Sequence, residues 1–229
     1  VDLYNMPAFG LSDTLLVKRY LNKSHNFKMG VNVGAKKGYV LDNFGFMGGE
    51  AFASSGWRAL TPMFGDSVTS LAANTWFSTL DVKSSQFVSG TGGGSYTSAS
   101  GVGSTSNYVS DSTLYNFSML FGSYFGDWDS QNNFLRAGLA SKGWALSCSW
   151  SGRPYHYYHQ MACGENLGSC IRISQNNYDA YEYNIYPTFV HTALMGDPSL
   201  RMNPVPPVSK VTLSTPADKK SVTVKWSKS

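Results

Sequence analysis

The clearest passage in the pattern of apolar and polar positions lies between Leu114 and Gly152. Residues 114–121 are a compact apolar run closed by Gly122-Ser123. The run is too short for a globular helix and predicts a buried strand. Phe134, Leu135 and Leu139 then recur at helical spacing. Asn132 or Asn133 stands at the N-cap position, and Gly143 lies where a left-handed C-terminal residue is expected. Residues 144–150 are again short and apolar and predict a second strand. Strand, helix and strand in that order make a βαβ unit, so the neighbouring strands are expected to be parallel. Sites in open parallel sheets gather in the loops beyond the carboxyl ends of the strands. Here that loop is 122–133, with its glycines, two aspartates and a serine.

Elsewhere the pattern is patchier. Residues 13–22 carry Leu15, Leu16, Val17, Tyr20 and Leu21 at helical spacing, with Ser12 or Asp13 as cap. Residues 44–57 predict a second helix, entered through a glycine turn and closed at Gly56. Residues 76–82 and the pair Phe87-Val88 predict strands. Residues 90–106, GTGGGSYTSASGVGSTS, have the composition of a flexible loop. An ordinary core follows them, and long loops inside compact domains are often functional. Leu200-Arg201-Met202 predicts a last short strand. Pro204, Pro206 and Pro207 then form a stiff connector. Beyond it Val211 and Leu213, then Val222, Val224 and Trp226, alternate with polar residues as two strands around a turn. The expected division is an α/β domain over 1–203, a connector at 204–208 and the start of a β-module at 209–229.

Composition narrows the classes. Apolar residues make up 42% of the 229 positions and aromatics 14%, enough for a substantial core. Only 14% are charged, against roughly 25% in typical soluble domains. Tyr, Ser, Gly and Asn take the place of Lys and Glu, a composition common in secreted proteins. The net charge of +4 includes no basic cluster beyond Lys36-Lys37 and Lys219-Lys220, which argues against nucleic acid as a partner. No apolar run approaches the ~18 residues of a spanning helix. The opening VDLYNMPAFG lacks the basic start and apolar core of a signal peptide. The expectation is a removed signal or a longer precursor. Cys163 and Cys170 bracket GENLGS and are either a disulfide or two free thiols. Cys148, between Leu146 and Trp150, is expected to be an inert core thiol.

Three stretches together resemble gingipain-type cysteine peptidases of the caspase-like clan. HTALMGDPSLRMNPVPP, from His191, is similar to the end of that catalytic domain, where a GDPSL segment leads into an immunoglobulin-like module. Thr91-Gly-Gly-Gly-Ser95 lies where the family has T-G-H-G-S after a strand. LFGSYFGD, from Leu120, lies where the family has its cysteine and an N-G-x-F turn. The tail SKVTLSTPADKKSVTVKWSKS resembles the opening of a fibronectin type III or other immunoglobulin-like module, which needs about seven strands. Two strands alone make a marginal hairpin, so the chain is expected to belong to a longer multi-domain protein.

The resemblance implies a caspase-like three-layer sandwich: a mainly parallel sheet flanked by helices. The departures from the family pattern bear on function. Its chemistry needs a thiolate and a histidine within hydrogen-bond reach. The histidine position falls at Gly93 and the cysteine position at Gly122 or Ser123. The expectation is therefore an inactive peptidase-like domain, secreted or on a cell surface, that serves as a binding or structural component of an extracellular assembly. The alternative is an active hydrolase in which Ser123 is served by His156 or His159.

Other chemistry has weaker signals. Asp127, Asp129 and Asn132 have the oxygen spacing of a calcium-loop fragment without the central glycine and terminal glutamate of an EF-hand. Members of the family carry calcium, so Ca2+ is a candidate ligand, though no cofactor is required. The same residues serve equally as turn and helix caps. His156 and His159 would be metal ligands only on a helical turn with further ligands. Arg153 is placed to pair with Asp127 or Asp129. Glu165 is a lone carboxylate. Tyrosines at 155–158 and 178–186 predict either a surface for a protein partner or self-association, or buried core rings.

Overall fold

The computed structural model describes residues 1–47, 50–151, 156–176, 192–203 and 209–227. In chain order its main sheet uses β1 (Gly38–Asp42), β2 (Val68–Leu71), β3 (Ser85–Thr91), β4 (Tyr115–Phe121), β5 (Ser147–Ser151) and β6 (Thr192–Gly196). Side by side they run β6-β5-β4-β3-β1-β2. The first five are parallel and β6 is antiparallel to β5. The order reverses between β1 and β3, the place where an open sheet leaves a crevice at its carboxyl edge.

Helices cover both faces because the inner strands are apolar in both directions. They are α1 (Asp13–Lys28), α2 (Ser54–Phe64), α3 (Trp76–Leu80), α4 (Thr105–Ser110), α5 (Phe134–Ala140) and α6 (Leu167–Gln175). Leu41, Val88 and Leu120 join Leu16, Trp76, Tyr108 and Phe134 in one core. Their strand neighbours Val40, Phe87 and Met119 join Leu60, Leu167 and Cys170 in the other. Phe117 belongs to the second core, edge-on to Phe27 at 5.6 Å and stacked on Phe87 at 5.2 Å.

The βαβ unit forms as the pattern implies. Asn133 caps α5 through Leu135 N–H at 3.0 Å, and β5 lies parallel to β4. Ser12 caps α1, whose buried side includes Leu16, Tyr20 and Phe27. That helix runs past the expected end at Asn22. Its lower turns hold the carboxyl end of α5: Arg19 donates to Ala140 O, and buried Lys23 donates to Gly138 O and Ser141 O. Burial, with Arg19 nearby, pushes the Lys23 ammonium down to about 7.

Several expectations change. Phe46–Met47 pairs antiparallel with Glu50–Ala51, and the helix starts only at Ser54. Gly56 does not close it. A Cβ there would lie 2.5 Å from Ser89 Oγ, so the glycine lets α2 approach the sheet. Residues 76–80 are helix, with Trp76 and Leu80 buried four apart. The 90–106 stretch is an ordered three-stranded antiparallel sheet, Gly94–Ser95, Ser98–Ala99 and Gly103–Ser104, with Ala99 and Val102 buried. Gly143 has no left-handed φ; α5 ends at Ser141, and a Cβ at Gly143 would collide with Thr113 O. At 200–202 only an isolated bridge forms, Arg201 to Asn166.

The GDPSL segment is a turn. Asp197 accepts from Lys28 Nζ at 2.7 Å and from Ser199 N–H and Oγ, while its own N–H donates to Tyr20 Oη. Partial burial alone would raise this carboxyl, but the bonds from Lys28 and Ser199 outweigh it and hold it below its ordinary value. The C-terminal strands β7 (Ser209–Ser214) and β8 (Thr223–Ser227) pair as an antiparallel hairpin, with Val211, Leu213, Val224 and Trp226 exposed.

Phe117→Ala is expected to cost about 3–5 kcal/mol in denaturant unfolding, as for a buried aromatic. Val224→Ser on the exposed hairpin should change the same measurement by less than about 0.5 kcal/mol.

Candidate functional site

At the carboxyl edge two glycine turns cross. Gly92 N–H donates to Phe121 O at 3.0 Å, which joins the end of β3 to the end of β4. Asn43 N–H donates to Thr91 O at 2.9 Å, and Thr91 Oγ1 bonds Asp42 Oδ1 at 3.1 Å. The crossing has no room for side chains. A Cβ on Gly94 would collide with the Ser123 backbone, one on Gly92 with Ser100 O, and one on Gly122 would lie 2.5 Å from Gly92 O. Gly93 differs: it is exposed, and nothing lies within 4 Å of its Cβ position. Ser123 is also exposed. The two positions that the sequence singles out for base and nucleophile thus lie on adjoining turns.

The 122–133 loop is pinned by its own polar groups. Asn133 Nδ2 donates to Phe125 O, Asp127 O and Ser130 Oγ. Asn132 takes φ +50°, donates its N–H to Asn5 O, and accepts from Ala8 N–H at Oδ1 and from Thr105 Oγ1 at its carbonyl. Trp150 Nε1 donates to Gly122 O at 2.7 Å. Arg136 is fully buried and donates to Tyr4 O and Ser130 O. Burial pushes its pKa down, against the pull of Asp2, Asp129 and Asp13. Sequence reasoning missed this arginine. Its signal was a lone charge inside the otherwise apolar FLRAGLA, where a buried cation requires partners.

Of the predicted partners of Ser123, His156 lies near the ends of β3 and β4, sharing a cavity with Thr91 and Phe121. His156 is buried against α2 and the sheet, its ring stacked on Tyr158 at 5.4 Å and its backbone N–H donating to Ser55 Oγ at 2.8 Å. It lines a cavity of about 10 Å³ with Ser55, Ser89, Thr91 and Met119, and its Nδ1 has no partner among the described residues. Burial pushes its pKa down to about 4. His159 opens a 3-10 turn, His159–Cys163, edge-on to Tyr157 at 6.5 Å. Among the described residues, no hydrogen bond joins Ser123 Oγ to a histidine. His191, Arg153, Tyr155 and the tyrosines at 178–186 lie outside the described residues.

Of the calcium-loop candidates, Asp127 and Asp129 stand exposed on the 122–133 loop. Asn132 Oδ1 is taken by Ala8 N–H. Among the described residues no group of three or more His, Cys, Asp or Glu is placed to hold a metal. All three cysteines are free thiols. Burial raises Cys148 to about 12 and, with Glu165 nearby, Cys170 to about 11. Both are therefore poor nucleophiles.

No known family model, curated protein or solved structure matches this chain.

Gly92→Ala is expected to lower stability by about 1–3 kcal/mol through overpacking. Gly93→His, pointing into open space, should stay within about 0.5 kcal/mol; thermal melts of both variants check the contrast. His156 binds its proton more weakly in the fold than in the unfolded chain. Stability should therefore be intact above pH ~6.5 and fall as pH drops towards 4, by on the order of 3 kcal/mol. Denaturant midpoints across that window should show this acid limb, and His156→Phe should flatten it.

Proposed function

We propose that this chain is a binding or structural component of an extracellular assembly, built on a peptidase-like α/β fold that lacks the nucleophile and base of its class. The observation that carries the reading is the glycine crossing. The turns that hold Gly93 and Gly122-Ser123 adjoin at the carboxyl edge, where a parallel sheet places its chemistry. They bring together glycines and one serine that no described histidine contacts. Function sits in replaceable loops, so a fold outlives the loss of its site residues. The strand order, with helices on both faces, agrees with the caspase-like architecture that the sequence resembles. A weakly charged surface rich in Tyr, Ser, Gly and Asn suits an extracellular setting.

The test is hydrolysis. Purified protein incubated with fluorogenic peptides and a p-nitrophenyl ester is expected to give no turnover above buffer, and a fluorophosphonate probe should leave Ser123 unlabelled. Turnover that disappears in Ser123→Ala would instead establish the serine hydrolase.

A further inference from the structure

One corner of the carboxyl edge combines charge and aromatic surface. The first residues of the chain and the 122–133 loop meet at the buried Arg136 guanidinium, which bonds Tyr4 O and Ser130 O and lies 3.8 Å from Asp2 Oδ1; Asp129 and Asp13 add their negative field. Asp127 stands exposed on the same loop. The loop and the chain start thus carry four carboxylates, of which Asp2 pairs with the buried cation. Between Ser84 and Leu135, which includes this loop and the small sheet beside it, the chain has no Lys, Arg or His. The corner is therefore acidic in a chain whose net charge is +4.

The same corner exposes four rings: Tyr4 (67%), Tyr124 (61%), Tyr96 (46%) and Trp128 (42%). Tyr124 holds φ +73°, a region that suits glycine and is rare for a bulky residue. Its ring contacts Tyr96 at 5.7 Å and otherwise stands largely in solvent. Aromatic faces attract cations, guanidinium most often, and nearby carboxylates add to the attraction. The carboxylates are spread out and do not converge on one point. That spacing suits several cations along a chain better than a single ion.

We propose that this corner docks an extended polypeptide segment rich in arginine or lysine, with cationic groups over Tyr124 and Trp128 and paired to Asp127 and Asp129. The inference deepens the binding reading above and rests on it. Both exposed surface and charge complementarity support it.

Fluorescence anisotropy of labelled octa-arginine, with octa-glutamate as control, tests it on the whole chain. Octa-arginine should bind at low salt and weaken as screening rises, while octa-glutamate should not bind. The double variant Asp127→Asn/Asp129→Asn should weaken binding roughly fivefold. Tyr124→Gly, which suits the backbone and leaves the fold intact by circular dichroism, should weaken it roughly threefold. Absence of binding, or binding that neither variant changes, overturns the proposal. Stoichiometric Ca2+ binding that is lost in the aspartate pair also overturns it and assigns the corner to a metal. Ester turnover through Ser123 would refute the broader reading. A chain that neither hydrolyses esters nor binds octa-arginine refutes only this inference.

Discussion

A guanidinium out of water needs partners, and the organisation of the carboxyl edge depends on the two carbonyls that Arg136 finds while its Nε stays without one. It donates to the carbonyls of Tyr4 and Ser130, so the first residues of the chain and the 122–133 loop are held to one helix. Removing one partner from such a group leaves an uncompensated charge, which costs far more than the bond returns when made. Asn133 repeats the logic in neutral form, capping α5 with its oxygen and fastening three loop groups with its nitrogen. The loop is thereby a rigid mount. The exposed rings and carboxylates it carries are displayed at fixed positions.

The glycine crossing is the complementary constraint. Gly92, Gly94 and Gly122 are required by close backbone approach, and none of them leaves volume for a reacting side chain. Only Gly93 and Ser123 look outwards. A site of this shape can present surface to a partner, and the carboxylate beside it, Asp42, is engaged by Thr91 Oγ1 and by the N–H groups of Phe44 and Gly45. His156, the buried imidazole near this edge, stacks on Tyr158, and among the described residues no hydrogen bond joins it to Ser123.

The middle of the sheet, β4, β5 and part of β3, was legible in sequence because the information there is local, whereas β1, β2 and β6 were not expected. The 114–152 passage has short apolar runs, a capping asparagine and helical spacing in succession, and it forms the βαβ unit expected. Residues 76–80 misled because five apolar-rich residues do not distinguish helix from strand by period. The 90–106 stretch misled for a different reason. Its order comes from backbones that glycine allows to touch, and composition alone reads as flexibility. The positions of Gly93 and Ser123 on adjoining turns were visible through resemblance to a family. Whether a histidine reaches Ser123 was not, because that depends on which face of the sheet the chain returns to after β5. Arg136 escaped notice because a charge in an apolar helix states a need without naming the partner.

The dependence of α5 on both its ends also bears on how the molecule assembles. At seven residues it is too short to persist alone. Its amino end is held by its own cap, but its last carbonyls are taken by Arg19 and Lys23 of α1, more than a hundred positions earlier in the chain. Closing a loop of that length carries an entropy cost before any contact returns it. The helix, and with it the loop that carries the exposed rings, is therefore expected to be completed only once α1 has docked against it.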